Sequence, residues 1–209
     1  MRQRTAEVEK NPLTLVERKQ RAARNRIVDA ADELFAERGF DAVSVTDIAE
    51  RAEVGRTTFF RHFRDKTEVV FAKEQAMFNA IATAASTIWD PALPVHTLAG
   101  ALSALEPLVL RLCAQATADL AAYERHTLLV DAHEELRARE AVKHQYIADE
   151  FTKALKGQNA PLDVATIAGQ LAVACYHSGR VLASNPADLV EGTADAFRKA
   201  LALQSAGPH

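Results

Sequence analysis

Cysteine is scarce in this chain of 209 residues, which has only Cys113 and Cys175. Neither belongs to a CxxC pair, so the sequence predicts neither a disulfide scaffold nor a zinc site. Both lie in apolar patterns of helical spacing, where a cysteine is expected to act as a small core residue. We therefore expect a reducing compartment, the cytoplasm, and no bound metal.

Long hydrophobic runs are also missing, because charged residues interrupt every apolar stretch before it reaches the length of a membrane-spanning helix. Arg2 and Arg4 lie near the start of the chain, but no apolar signal core follows them. The composition, 48% hydrophobic and 25% charged, is typical of a soluble protein with one sizeable core or two small ones. No membrane partner is expected.

Motifs of the common enzyme classes are absent as well. The chain has no GxSxG motif and no glycine-rich phosphate loop. His133-Glu134 begins like a zinc-protease helix, but Arg137 stands where the second histidine of HExxH is required. We therefore expect a protein that is not an enzyme and carries no cofactor.

Charge is unevenly distributed along the chain. Residues 1 to 66 hold 14 basic and 12 acidic residues, whereas residues 67 to 209 hold 11 and 16. Residues 2 to 26 alone hold eight basic and three acidic residues. This segment is either a solvated face or an arm that follows a nucleic-acid backbone, and we expect residues 1 to 20 to be flexible.

The first regular element is an amphipathic helix that ends at Gly39. Its buried face is predicted from apolar residues at positions 27, 30, 31, 34 and 35. A second helix is expected to begin at Ser44, whose side chain can cap the helix together with Asp47.

A third helix is expected at Arg56 to Phe63, directly after a turn at Gly55. Phe59 and Phe63 share one face by their spacing of four residues, which leaves basic and polar residues outward. Two helices around a short glycine turn predict a helix-turn-helix at about residues 44 to 63.

The rest of the chain is predicted to be helical, with no strand. Thr67 should be the N-cap of the fourth helix, which should run to about Trp89. Pro107 should kink the next helix or restart it. The further helices are expected at about 96 to 114, 116 to 131, 134 to 156, 162 to 184 and 187 to 203. The fold class is therefore all-α.

Several segments of the first 66 residues resemble the tetracycline-repressor-like (TetR) family. These segments are Arg26-Ile27-Val28-Asp29-Ala30-Ala31, Leu34-Phe35-Ala36-Glu37-Arg38-Gly39-Phe40, Val45-Thr46-Asp47-Ile48-Ala49, Val54 and Thr58-Phe59-Phe60-Arg61-His62-Phe63. The resemblance implies a homodimer of about nine helices per chain, with a DNA-binding domain at 21 to 66. It also implies a domain at 67 to 209 for dimerisation and for a small-molecule effector.

The same resemblance implies the residues that contact DNA. Base edges would be read by Arg56, Thr57, Arg61 and Thr46, and phosphates would be held by Thr58, His62 and Lys66. Phe60 stands where the family usually has tyrosine, and Gly55 where it often has a capping serine. Two alternatives stay open: the arginines as exposed residues of a solvated helix, and His62 as a ring packed against the domain.

The last two long helices carry apolar stripes that suit a four-helix interface between two subunits. The stripes are Ile167, Leu171, Ala174, Cys175, Ser178 and Leu182, then Val190, Ala194, Phe197 and Leu201. Small residues at 168, 169, 172 and 179 would allow a close approach. Alternatively, both stripes serve the subunit's own core.

Effector contacts are expected at Tyr123 and His126, beside the break at Pro107. Other polar-aromatic candidates are Trp89, His133, Tyr146 and His177. Each of the six residues is either an effector contact or a core residue whose polar atoms are satisfied within the protein. The predicted function is a bacterial repressor that leaves operator DNA when an effector binds. The alternative is a helical carrier or adaptor whose basic domain contacts protein or RNA.

Overall fold

The computed structural model describes residues 14 to 72 and 94 to 205, and within these residues it contains nine α-helices, one short 3-10 helix and no strand. The all-α prediction is confirmed. The chain divides into two compact units, residues 1 to 72 and 73 to 209, here called the head and the body. The head boundary lies six residues beyond the expected one.

The head contains four helices. They are α1 (Leu15–Arg38), α2 (Val45–Arg51), α3 (Arg56–His62) and α4 (Lys66–Val70). Ile27, Leu34, Ile48 and Phe59 are almost completely buried and form the centre of the head. Gly39 ends α1 with a φ of 79° and donates its N–H to the Phe35 carbonyl at 3.0 Å, as a C-terminal glycine is expected to do.

The start of α1 corrects the expected flexible arm. Thr14 and Glu17 form a capping box, in which Thr14 N donates to the Glu17 carboxylate at 2.7 Å and Glu17 N donates to Thr14 Oγ1 at 3.2 Å. Residues 15 to 20 are therefore helical, because a cap that sequence periodicity does not reveal fixes the first turn. Residues 1 to 13 lie outside the described part of the chain.

The turn between α2 and α3 also differs from the expectation. Glu53, with a φ of 51°, takes the left-handed conformation, whereas Gly55 has an extended backbone with a φ of −71° and is the N-cap of α3. The predicted cap at Ser44 is confirmed by its capping box with Asp47. The N-cap of α4 is Asp65, whose carboxylate accepts from Glu68 N at 2.7 Å, so Thr67 was the wrong prediction. Trp89 lies outside the described residues.

The body contains five described α-helices. They are α5 (Leu98–Ala116), α6 (Leu120–Ala132), α7 (Glu134–Gly157), α8 (Leu162–Leu182) and α9 (Leu189–Ser205), with a 3-10 turn at Pro186–Asp188. Helix α8 packs against α5, α7 and α9, and α6 packs against α7. Helix α5 is continuous through Pro107, so the helix does not restart there.

Helix α5 is also the one described helix that is long and apolar enough for a membrane span. Nine of its 19 residues are buried, including Leu102 and Leu105, which have no exposed surface. Helix α5 is thus a core helix of the body, and the core helix of a soluble protein meets the same test of length and composition.

Candidate DNA-binding face

Helix α3 has one buried and one exposed face. Phe59 and Phe63, on the inner face, are 0% and 3% exposed, and their ring centroids are 5.9 Å apart. The side chains on the opposite face are exposed to solvent: Arg56, Thr57, Phe60 and Arg61. Because residues three and four apart share a helix face, these four form one continuous surface, here called the outer face.

The two arginines of the outer face have no carboxylate partner among the described residues. Other arginines of the head are paired: Arg51 donates to Glu37 at 2.9 Å and to Glu33 at 3.1 Å. The guanidinium of Arg56 instead lies 5.9 Å from the centre of the Phe60 ring. The outer face therefore presents uncompensated positive charge, which suits an anionic or guanine-bearing partner.

Three further predicted contact residues border the outer face. Thr46 on α2 and Thr58 and His62 on α3 are each partly buried. Burial lowers the pKa of His62, and the neighbouring positive charges of Arg61 and Arg24 lower it further. The imidazole is therefore neutral at neutral pH, so it would hold a phosphate through a neutral N–H group. Its ring also lies 6.5 Å from that of Phe63.

Lys66 has a structural environment that the sequence did not reveal. Its ammonium donates to the backbone carbonyls of Phe40 at 2.7 Å, Val43 at 3.0 Å and Asp41 at 3.5 Å. It also lies 4.2 Å from the centre of the Phe40 ring. Lys66 thus joins the start of α4 to the loop that follows α1, and its donors are directed at protein carbonyls.

We expect Lys66→Met to destabilise the head by about 2 kcal/mol, because the carbonyls would lose charged hydrogen-bond donors. Hydrogen exchange of the full chain should show the loss of protection within residues 27 to 63. Lys153→Met is the matched control, since Lys153 pairs only at the surface, with Glu150 at 2.7 Å. Unchanged protection, together with a flatter salt dependence of DNA binding, would instead favour the phosphate role.

The basic segment of α1 is partly engaged by the head itself. Arg24 Nη2 donates to the Ala72 carbonyl at 2.8 Å, and its guanidinium lies 5.1 Å from the centre of the Phe63 ring. Arg26 lies 3.9 Å from the Glu53 carboxylate. Exposed basic side chains remain on the first turns of the helix: Arg18, Lys19 and Arg21. The described part of the basic segment is therefore helical. Its two predicted roles, a solvated face or a contact to phosphates, both stay open.

The body holds a second candidate site, a polar-aromatic cluster between α6, α7 and α8. Tyr123 Oη is buried without a hydrogen-bond partner in the described part of the chain. The rings of His144 and His177 meet edge to face with centroids 4.3 Å apart, and Tyr176 lies 5.6 Å from each. Burial lowers the pKa of His144 to about 3 and raises that of Tyr176 well above its usual value. These groups are therefore uncharged at neutral pH.

A partly buried ion network borders this cluster. Arg180 donates to both carboxylate oxygens of Glu140, at 2.9 and 3.0 Å, and to Asp131 at 2.6 Å. Four residues of the cluster and the network were not predicted from the sequence: Glu140, His144, Tyr176 and Arg180. The available signal was their spacing of four residues on each of two predicted helices, which places two polar groups on one face of α7 and two on one face of α8.

The remaining effector candidates are scattered. His126 is partly buried on α6, and Tyr146 is 49% exposed on α7. His133 is the C-cap of α6, with Nδ1 2.8 Å from the Leu129 carbonyl. Only His177 lies in the same cluster as Tyr123. Among the described residues, no group of three or more acidic, histidine or cysteine side chains is arranged to hold a metal ion.

The predicted stripes of α8 and α9 divide between core and surface. Phe197 is completely buried and Cys175 is 5% exposed, so both belong to the core of the subunit. The small residues of α8 also face inward: a Cβ on Gly169 would lie 2.7 Å from the Ala148 carbonyl of α7. These residues permit contacts within the subunit, which corrects their assignment to an interface. An exposed apolar strip remains on α8: Ile167, Ala174, Val181 and Leu182.

The head and the body together define a helix-turn-helix protein with a helical C-terminal domain. Residues 27 to 72 match the family described as bacterial regulatory proteins, tetR family. The regulator TcmR of Streptomyces glaucescens is 35% identical over 91 residues, which are 44% of this chain and 40% of TcmR. The repressor Rv3405c of Mycobacterium tuberculosis is 50% identical over 46 residues, 22% of this chain and 24% of the relative.

Solved structures share the fold over most of the chain. SmeT, the repressor of the Stenotrophomonas maltophilia multidrug efflux pump SmeDEF, aligns with a TM-score of 0.56 over 88% of this chain and 91% of SmeT, at 20% identity. A SmeT–triclosan complex aligns with a TM-score of 0.57 over 87% of this chain and 91% of SmeT, at 21% identity. The likeness to the tetR family therefore covers residues 27 to 72, the chain aligns with less than half the length of these two sequence relatives, and the solved structures show the same fold for the longer chain.

Proposed function

We propose that this protein is a sequence-specific regulator that binds duplex DNA through α3 and is released from it by a small-molecule effector. The observation that carries the proposal is the outer face of α3, where Arg56 and Arg61 are exposed and have no carboxylate partner among the described residues. Arginine binds guanine O6 and N7 in a bidentate manner, and an unpaired guanidinium keeps its donors available for that contact.

The other residues predicted to contact DNA have different roles in this proposal. Thr46 and Thr57 reach base edges, whereas Thr58 and His62 hold phosphates beside them and fix the register. Lys66 contributes by holding the loop after α1, through its bonds to the carbonyls of residues 40, 41 and 43. In this proposal the site binds DNA without covalent chemistry, and the protein acts in the bacterial cytoplasm.

The proposal is tested by selection from a random duplex library with the full-length protein. We expect a pseudo-palindromic sequence that binds at least about 1,000-fold more tightly than a scrambled duplex, with log affinity falling linearly with log salt. A library without enrichment, and equal affinity for all duplexes, would contradict the proposal and favour a carrier or adaptor.

We propose a homodimer, because one short recognition helix reads too few base pairs to be specific alone. In this dimer, the exposed strip on α8 packs against the same strip of a second copy of the chain. Ile167 is 49% exposed, Val181 80% and Leu182 66%, and their spacing places them on one side of the helix. A self-complementary apolar surface is what a two-fold interface requires.

Val181→Glu should therefore produce a monomer at micromolar concentration, because the two-fold axis would bury two like charges. We expect the dimer dissociation constant to rise at least about 100-fold. Size-exclusion chromatography with light scattering measures the change. Val142→Glu is the matched control, since Val142 is 68% exposed on α7, away from the strip, and this variant should remain dimeric. A dimeric Val181→Glu variant with unchanged circular dichroism would place the interface elsewhere.

The effector site is proposed to include Tyr123 and His126. The buried Oη of Tyr123 supports this assignment, because it makes no hydrogen bond of normal geometry within the described residues, although Tyr176 and Thr127 lie beside it, and it would gain one when a ligand supplies an acceptor. SmeT, which has the same fold, forms a complex with triclosan, and this supports a small-molecule role for the body. A crystal structure of the protein purified from its host, with ligand density against Tyr123, would test the assignment.

A further inference from the structure

Phe60 is unusual among the aromatic residues of the head. Phe35, Phe40, Phe59 and Phe63 are at most 8% exposed, whereas Phe60 is 50% exposed. Single exposed apolar side chains are common on protein surfaces, so exposure alone indicates little. The position is informative, because Phe60 lies on the outer face of α3, beside two arginines that have no carboxylate partner among the described residues.

The ring of Phe60 is held in place by its neighbours. It meets the buried ring of Phe59 edge to face, with centroids 5.5 Å apart and an interplanar angle of 82°. The guanidinium of Arg56 lies 5.9 Å from the centre of the ring. A ring that is ordered before binding loses little conformational entropy when it makes a contact.

The chemistry of the ring selects the group it can recognise. Phenylalanine has no hydrogen-bond donor or acceptor, and the one apolar group that a base presents in the major groove is the C5-methyl of thymine. A ring on a base-reading face thus distinguishes thymine from the other three bases. A tyrosine hydroxyl at this position would add a polar contact, which this chain lacks.

We propose that Phe60 is a specificity-determining residue that reads thymine through its C5-methyl group. The proposal rests on the proposed function, since it requires α3 to enter the major groove of duplex DNA. It goes beyond that function in naming the base and the atom that one side chain recognises. The contact is distinct from packing of the ring against deoxyribose, which would be the same for every base.

The test uses the duplex obtained by selection with the full-length protein. Each thymine is replaced in turn by uracil, symmetrically in both half-sites, so that only a methyl group is removed. We expect the wild-type protein to lose about fourfold in affinity per half-site at one thymine position, the size expected for one buried methyl group. At the other thymines, affinity should be unchanged.

Phe60→Ala should bind the thymine and uracil duplexes equally, whereas Phe60→Tyr, which keeps the ring, should retain the difference. Thr57→Ser removes the other exposed methyl group of the outer face, so it tests whether Thr57 supplies the contact instead. Val142→Ala is the matched control, because it shortens an exposed apolar side chain on α7 of the body and should leave the thymine preference intact. Circular dichroism of Phe60→Ala checks the fold. If the alanine variant is unstable, Phe60→Gln replaces it in the comparison of the thymine and uracil duplexes.

The outcomes separate this inference from the function on which it rests. If the wild-type protein selects no duplex, the proposed function fails and this inference fails with it. If it binds a selected duplex but no thymine shows a methyl dependence, only the role of Phe60 is overturned. The same conclusion follows if Phe60→Ala keeps the dependence or Thr57→Ser abolishes it.

Discussion

Replacing Gly179 by alanine is expected to destabilise the body by about 3 kcal/mol and to lower its melting temperature by about 6 to 12 °C. The cause is the close crossing of α8 and α9. A Cβ on Gly179 would lie 2.5 Å from the backbone nitrogen of Thr193 and 2.7 Å from its Cα, and it would also collide with the Thr193 hydroxyl. These are mainly backbone atoms, so the helices themselves would have to separate.

Further contacts surround the same crossing. A Cβ on Gly192 would lie 3.0 Å from the Gly179 carbonyl, and the buried Thr193 hydroxyl is 3.7 Å from Cys113 Sγ on α5. A shift of α9 would therefore disturb α5 as well, and the damage should reach the centre of the body. This extension is why we expect a loss near the upper end of the usual range for overpacking.

Thermal unfolding of the full chain, followed by circular dichroism, measures the effect. Gly157→Ala is the matched control, because a Cβ there meets nothing within 4 Å. Since alanine is the better helix former, this control should be neutral or slightly stabilising. Equal melting temperatures for the two variants would show that the α8–α9 crossing can relax without loss.

The second large effect is expected at Arg56. Arg56→Ala should remove about 1 to 3 kcal/mol of binding free energy per half-site, which for a symmetric dimer is a loss of affinity between about 30-fold and 20,000-fold. The loss should be concentrated on the selected duplex and should relax the preference at one base pair. Binding to random duplexes should weaken much less, since only one positive charge per subunit is removed.

Competition binding against selected and random duplexes measures both effects in one experiment. Arg139→Ala is the matched control, because Arg139 is an exposed arginine on α7 of the body. It changes the net charge equally and should leave both affinities nearly unchanged. An equal loss of affinity on the two duplexes by Arg56→Ala would indicate a phosphate contact instead of base reading.

Much of the head was predictable because its signals are local. The spacing of Ile27 to Phe35 gives the buried face of α1, and the four-residue spacing of Phe59 and Phe63 sets the inner face of α3. A capping box spans only three residues, so Ser44 and Asp47 fixed the start of α2 without tertiary help. The outer face of α3 follows from the same periodicity.

The errors in the head lie where two local signals compete. Gly55 was expected to take the left-handed turn, but that conformation falls on Glu53, whose exposed side chain has no packing to lose. Asp65 and Thr67 are both possible helix caps, and the carboxylate of Asp65 takes the role. Residue type alone cannot decide which of two nearby residues takes the left-handed turn or the N-cap. The outcome depends on the path by which the chain enters the helix.

The sequence by itself determined an all-helical chain, a helix-turn-helix and the side chains that α3 turns outward, because helix periodicity and caps act over a few residues. Only the tertiary structure decided what the apolar stripes of α8 and α9 contact. It placed Phe197 in the core and left Val181 exposed, although both are apolar residues at helical spacing. It alone brought Lys66 to the carbonyls after α1 and Arg180 to Glu140, since those partners are 23 to 26 and 40 residues apart in the chain.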